Sequence, residues 1–565
     1  MAGMLSNSVS GLRAIQRALD TTSHNISNAN TEGYSRQTAV ISSSVPEFDG
    51  VGYVGSGSYV ETVRREFDGL VERQLRSAIS ESARYKSQQT LTEQVNQIVG
   101  DLDAGIGQTM QGVFSAAQDV ASNPSDMTAR SSYLGAIETT VNQFNRVDQQ
   151  LNDLQFQLEQ QGAQMAREVD RWAQEVAELN EIISEAYQTN RNALPNDLMD
   201  RRDTLIRNIA ERVDVKTLDS RDGNINLYLS SGQGLVINDI AQRFTAESSN
   251  ANRLTVRLAG TDVTDRISGG SIGGILESQD RVIGSLRNEL GRSAMVLATM
   301  INRSQDNGFK YDSAAPGEAF LAASTGTPNQ TGLAGEPFEG NAISRVGNEG
   351  DAKVEFSVDE AYELTGDTYE LRFDGTNWTA YASSSPNTAI DISADPSAIP
   401  GLTLSFPSGT AQAGDTYDLR PGEGVAGRLR LTDEAREPTN VAASAAADQP
   451  RNNENINQLI ENGRRSIKDI VEIGYTNNSN VGKSLGDVVN GAVGNVGTYA
   501  SQVRMRAESA ETNLTYFTNR RESLSGVNLD EEAANLLKFQ QAYQALARTI
   551  SVQDRVFQSL LGAMG

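Results

Sequence analysis

LSNSVSGLRAIQRALDTTSHNISNANTEGYSR, residues 5–36, opens the chain with a sevenfold period. Leu5, Leu12, Leu19 and Ile26 fall seven apart, and Val9 and Ile15 fill the same face. That heptad stripe predicts an amphipathic helix with one sticky side. The other end of the chain answers it: Leu529, Leu536, Tyr543, Ile550 and Phe557 are again seven apart, and Phe539, Leu546 and Leu560 each follow a stripe residue by three. An isolated helix of this length is marginal in water, so each stripe needs another helix to bury against. The opposite terminus is the simplest partner; docking of each helix on a separate globular core is the alternative, and periodicity does not choose between them.

The segment after the first stripe, NISNANTEGYSR, is rich in residues that end helices. Asn tolerates left-handed backbone and bonds its own main chain, and Gly supplies positive φ. Asn25, Asn28, Asn30 and Gly33 therefore read as a helix end followed by a fixed turn, with Tyr34 anchoring it in apolar surroundings. One such residue would suffice for a cap alone.

Composition narrows the chemistry. The 565 residues allow three or four domains. The net charge of -25 repels phosphate backbones and anionic lipid, so neither nucleic acid nor a membrane is expected as a partner. The first and last forty residues together carry no net charge, and the middle holds the whole excess. There is no Cys, which removes disulfides, thiolate metal sites and a cysteine nucleophile. The single histidine, His24, is too few for a two-histidine zinc motif, and a lone polar histidine at a helix end is more often surface or cap than catalyst. GVGYVG at 50–55 satisfies a dinucleotide-binding string but lacks the strand before it and the helix after it. The 73 acidic residues guarantee accidental carboxylate pairs, and a solvated acidic face accounts for them. No catalytic, cofactor-binding or metal site is expected. No run approaches 18 apolar residues, and the N-terminus has neither a basic nor an apolar signal region, so a cytoplasmic chain or one exported by an unconventional route is expected.

Along the chain the pattern is helix, β, helix. Helical period runs from 67 to 190, first through Leu91, Val95, Ile98 and Leu102, then from Ile137 through Ile183 with one skipped turn. NALPND ends it, and DLMDRRDTLIRNIAERV forms a further helix. Alternation at Ile225, Leu227 and Leu229, with a turn at Asp222-Gly223, marks a small antiparallel excursion. From 311 to 425 the chain is Gly-, Ser-, Thr- and Asp-rich with short β-prone runs; GDTYELR and GDTYDLR echo one another and suggest a related hairpin edge. The expected fold is mainly α with an inserted β-rich module: multidomain, with paired N- and C-terminal coiled-coil-like helices and a long helical bundle. The expected divisions are 1–66, the N-terminal helix and loop of an inner core; 67–310, a helical bundle with a β excursion at 213–268; 311–425, the β-rich domain; 426–500, a return to the bundle; and 501–565, the C-terminal helices of the core. Trp378 and Tyr381 in the β module could stack on sugar, although a Trp in a hairpin is more often a packing residue.

Two segments carry a family resemblance. NISNANTEGYSRQ after an amphipathic helix resembles the N-terminal signature of the bacterial flagellar rod, hook and hook-associated axial proteins, and SGVNLDEEAANLLKFQQAYQALARTISVQDRVFQSLLGAMG resembles their C-terminal signature. GVGYVGSGSYVETVRREFDGLVERQLR, NDLMDRRDTL and MINRSQDNGF are similar to segments of the family's hook–filament junction members. The resemblance implies a non-enzymatic structural adaptor at the distal end of the hook, joining hook to filament. It implies export through the flagellar type III apparatus without a cleaved signal, an extracellular location, an export chaperone, and an outward-projecting β domain. It further implies a ring-like layer of copies of the chain, with hook protein on one side and a second junction protein and the filament on the other. The two heptad stripes and the residues of the Asn-rich turn would form the assembly interface, with spare amides facing neighbouring subunits. The alternatives are a sister axial protein, hook or distal rod, and a junction protein whose β module is also an adhesin.

Overall fold

The computed structural model describes residues 2–48, 52–100, 105–190, 194–248, 253–323, 338–345, 347–465 and 484–564. Among these the helices are α1 (Ala2–Ser27), α2 (Gly69–Val99), α3 (Ile106–Ser122), α4 (Met127–Thr189), α5 (Asn196–Arg212), α6 (Gly270–Ser278), α7 (Ser285–Asp306), α8 (Glu454–Arg464), α9 (Leu485–Ser525) and α10 (Leu529–Met564). A single π-helical stretch, Gln279–Gly284, joins α6 to α7.

The bundle is built on α4, whose 63 residues extend about 95 Å at the α-helical rise. Its stripe, including Ile137, Phe144, Leu151, Val169, Val176 and Ile183, is fully buried against α3, α5 and the small β excursion. The skipped turn in its pattern falls at Gly162, where an added Cβ would strike the Leu254 side chain. Leu254 lies on the strand Leu254–Leu258, so the gap in the helix receives a knob from the sheet. The helical run expected over 67–190 is three helices, not two; α3 separates α2 from α4, and Leu102 lies outside the described residues. Asp68 and Asp126 cap α2 and α4 by accepting from backbone N–H groups of the first turn, and Ser484 and Asp487 form a reciprocal capping box on α9. Helix α9 returns along α2 and runs unbroken through residue 500.

The excursion is two antiparallel sheets, one of four strands between Val215 and Ala241 and one of three between Phe244 and Asp262. Gly223, at φ +87, makes the expected turn.

The inserted β module closes at its base where Leu321–Ala323 pairs with Leu429–Leu431. Above this stand a three-stranded sheet and a five-stranded sheet. The two echoed segments are not an edge: Tyr369–Phe373 and Thr416–Leu419 are neighbouring inner strands of the five-stranded sheet, with Glu370 directly opposite Asp418. Arg345 bridges that pair, at 2.6 Å from Asp418 and 3.4 Å from Glu370. Trp378 is the centre of the module's core, stacked on Phe406 at 5.1 Å between ring centroids and flanked by Phe373 and Tyr417. It is buried and has no face to offer a sugar. Module and bundle meet where α7 passes the 420–424 loop. There Gly291 and Gly422 bring two backbones into contact, and Asn288 accepts from the Gly422 N–H (2.8 Å) while donating to the Gly366 carbonyl (2.8 Å).

Candidate assembly interface

Helices α1 and α10 pair along their length. Two contacts fix the direction. Gly11 lies against Leu546, and Asn25 donates to Glu532 at 3.2 Å; the contacts are fourteen residues apart on each helix and run in opposite senses. The pair is therefore antiparallel, with the corner at Asn25 beside the start of α10.

The seam differs from the expected one. On α1 the buried residues are Ser8, Ala14, Ala18, Thr21, Thr22 and Asn25, a file of small side chains at helical spacing that lets α10 approach closely. Against it α10 presents Glu532, Leu536, Phe539, Leu546 and Ile550, of which only Glu532 is fully buried. The heptad stripe forms this seam only in part: Leu536 and Ile550 belong to both. Leu5 and Ile26 are exposed, and Leu12 and Leu19 are half-buried; on α10, Leu529, Tyr543 and Phe557 are exposed. The Leu560 side chain lies outside the described residues. Small side chains on α1 permit close approach of its neighbours, and both α10 and the strands Gln37–Ser43 and Ser58–Arg65 lie against this helix. The signal was present in the sequence as Ser8, Gly11, Ala14, Ala18 and Thr22, but apolar periodicity does not register small residues.

A β-hairpin covers another side of α1. Its main ladder pairs Gln37–Ser43 with Ser58–Arg65, and Glu47–Phe48 pairs with Tyr53–Val54 beyond it. Asn7 donates to the Gly55 carbonyl at 2.8 Å, and Gly57, at φ +101, lies so close to Ser10 that a side chain would collide with it. The GVGYVG string belongs to this hairpin; Gly50 and Val51 lie outside the described residues, and no helix follows the string. Hairpin, α1 and α10 form one terminal module.

The Asn-rich turn is the elbow joining that module to the bundle. Asn25 is buried and uses its whole amide. Its Oδ1 accepts from the Tyr34 hydroxyl (2.8 Å) and the Gln37 N–H (2.9 Å), and its Nδ2 donates to the Gln37 carbonyl (2.8 Å) and Glu532. Burial, followed by the nearby Asp197, Asp200 and Glu532 carboxylates, pushes the Tyr34 phenol well above its ordinary pKa and keeps it a hydrogen donor. Gly33, at φ +81, passes so near Thr204 and Arg207 of α5 that only a hydrogen fits. Asn28 closes the end of α1 by donating to the His24 carbonyl (3.0 Å), and Asn30 is exposed. The amides of Asn25 and Asn28 are thus engaged within the chain, that of Asn25 in a buried setting and that of Asn28 at the surface.

Beneath the elbow is an ion network that sequence reasoning did not locate. Arg65 reaches Asp200 (2.8 Å) and Asp203 (2.6 Å), and buried Glu72 takes Arg207 (2.6 Å) with Arg76 and Arg521 further out. Burial opposes the charge on Arg65, and the Asp203 and Asp200 carboxylates more than restore it, so its pKa stands above the ordinary value. Arg521 also donates to the carbonyls of Gly33 (2.9 Å) and Tyr34 (3.3 Å). NDLMDRRDTL, on α5, supplies Asn196, Asp197, Asp200 and Asp203 to this region.

Exposed apolar surface is concentrated at the two ends of the chain. Among the described residues, eighteen of twenty-four exposed large hydrophobic side chains lie before residue 71 or after residue 504. They include Val45, Phe48 and Tyr53 at the hairpin tip, Phe67, Leu70, Tyr516 and Leu524 near the elbow, and Leu537, Val552 and Val556 on α10. No group of His, Asp and Glu that could hold a metal ion occurs among the described residues, and no described helix is long and apolar enough to cross a membrane.

Comparison with known proteins agrees with this architecture segment by segment. Residues 5–34 match the flagella basal body rod protein family, 92–321 the helical domain of flagellar hook-associated protein FlgK, and 521–563 the C-terminal family of the basal body rod FlgEFG proteins. The chain is 29% identical to flagellar hook-associated protein 1 of Escherichia coli K12, covering 99% of this chain and all of that one. It is 27% identical to the Salmonella typhimurium protein of the same name, over 99% of this chain and all of the relative. The solved flagellar hook junction protein FlgK of Burkholderia pseudomallei superposes with a TM-score of 0.67 at 19% identity, covering 80% of this chain and all of that one, and so shares the fold. With a rod-family helix at its start, a hook-associated helical domain in its body and a rod-family helix at its end, the chain belongs to the flagellar rod, hook and hook-associated axial protein family, in its hook-associated branch.

Proposed function

We propose that the chain is a structural junction element of the bacterial flagellum, assembling at the distal end of the hook to connect hook to filament. The observation that carries this reading is the division of the molecule: a bundle that satisfies itself, and a terminal module whose outer faces are apolar and uncovered. Copies of the chain pack side by side through those faces in a ring-like layer, with Leu5, Ile26, Leu529, Tyr543 and Phe557 among the buried contacts. Burying each such side chain contributes about 1.5–3 kcal/mol, so a handful per subunit offsets the cost of immobilising the ends. Hook protein lies on one side of the layer, and a second junction protein with the filament on the other. Export precedes assembly, and an export chaperone shields the apolar ends until then. The role is mechanical and not enzymatic, and the location is extracellular.

Deleting the gene tests the assignment. The expected phenotype is a finished hook, no filament, and filament subunits released into the medium. A missing hook would contradict the reading and indicate a sister axial role.

A further inference from the structure

Three consecutive backbone amides in the elbow donate to three different parts of the chain. The Ser35 N–H bonds Asp200 on α5 (3.0 Å), the Arg36 N–H bonds the Ser525 carbonyl at the end of α9 (2.8 Å), and the Gln37 N–H bonds Asn25 on α1 (2.9 Å). The same stretch is tied to the start of α10, because Arg36 pairs with Glu531 (2.7 Å) and Asn25 donates to Glu532. On the bundle side Arg521 and Arg207 converge on Glu72, and Arg521 holds the Gly33 and Tyr34 carbonyls. Within residues 25–37 the one buried hydrophobic side chain is Tyr34, and the rest of that stretch is held by polar contacts.

We infer that this polar node sets the angle between the terminal helix pair and the bundle, and that Asn25 is its positioning residue. An apolar interface is tolerant of small rotations, since dispersion and burial are not directional. A set of directional hydrogen bonds with every Asn25 atom engaged is not, and losing one partner leaves buried groups unsatisfied. Asn25 is suited to the place because one short side chain offers two donors and two acceptor sites. The node draws on residues 25–37, 65–76, 196–207 and 521–532, so it is complete only when both chain ends and the middle are folded together. It acts as a check built into the fold: the terminal module takes its working direction only on a finished bundle. This concerns the single chain and stands or falls apart from the place of the protein in the flagellum.

The absence of native cysteine allows a direct test on the full chain. Spin labels on Arg13→Cys in α1 and Glu81→Cys in α2, both at exposed positions, report the angle as a distance distribution. One narrow distribution is expected. Asn25→Ala should broaden it and speed exchange of the Gln37 amide about tenfold, with exchange in α4 unchanged. Asn25→Asp, which sets a carboxylate against both Glu532 and the Gln37 carbonyl, should broaden it as well, and Glu532→Gln added to Asn25→Asp should narrow it in part by relieving the first of these clashes. A broad distribution in the unsubstituted chain, or a narrow one unchanged by Asn25→Ala, overturns the inference. Should Asn25→Ala fail to fold, the Asn25→Asp and Glu532→Gln pair decides, because a structural defect alone would not be reversed even in part by the second change.

Discussion

Helix α4 and helix α10 carry similar apolar periods and meet opposite fates. On α4 the stripe is sealed, with Phe144, Leu151 and Val176 inaccessible to solvent. On α10 the stripe is half-open, with Leu529 and Phe557 more than half exposed. The bundle surrounds α4 with α3, α5 and two small sheets, whereas among the described elements α10 packs extensively on α1 alone. A two-helix pair covers one face of each member and leaves the rest for something outside the chain. Periodicity therefore states that a helix has a sticky side, and only the number of neighbours states whether the fold has used it.

That contrast can be broken by substitution. Phe144→Ala in α4 should cost about 3–5 kcal/mol of stability, measured by denaturant unfolding, because it opens a cavity in a close-packed core. Phe557→Ala should leave the stability of the free chain within about 0.5 kcal/mol while abolishing incorporation into the flagellum. If the free chain loses as much from the second as from the first, α10 is buried in the monomer and the distinction fails. Arg521→Ala should cost about 2 kcal/mol, since it removes one cation from buried Glu72 and strips the Gly33 and Tyr34 carbonyls of their donor. The loss should register as faster exchange at residues 34–37 before it registers in the bundle. Gly33→Ala should cost about 1–2 kcal/mol from its positive φ and its proximity to Thr204.

The smallest expected effect is on the β module and depends on pH. Burial raises the pKa of Asp418, and Arg345, Arg253 and Arg420 more than reverse this, so the carboxyl sits below its ordinary value. A carboxyl depressed in the folded state stabilises it above the unfolded pKa, and that contribution is lost as pH falls through the folded one. Acidification below about pH 4 should therefore loosen the contacts of the inner strands, and Asp418→Asn should flatten that part of the stability profile.

Much of this architecture is legible in the sequence. The terminal helices, the long bundle helix, the Asp222-Gly223 turn and the inserted β module follow from period and turn residues, because these report local geometry. The α10 side of the seam, Leu536, Phe539, Leu546 and Ile550, was legible as part of the apolar period; the α1 side was not, since Ala14, Ala18 and Thr22 leave no mark in a hydrophobic pattern. The elbow's partners were not legible either. Asp200, Asp203 and Arg207 on α5 look like any solvated helix face, and only the fold reveals that they are enclosed. The echo between GDTYELR and GDTYDLR was visible, but that its acidic residues face one another across a ladder depends on pairing between segments some fifty residues apart.

The central claim is that the outer stripe of the terminal pair is uncovered in the free chain and buried between subunits. Single cysteines at Leu5 and Phe557, in a chain otherwise without cysteine, measure this by maleimide labelling of the purified protein and of isolated hook–filament junctions. The account predicts rapid labelling of the free chain and strong protection in the junction at both positions; equal reactivity in the two states would contradict it.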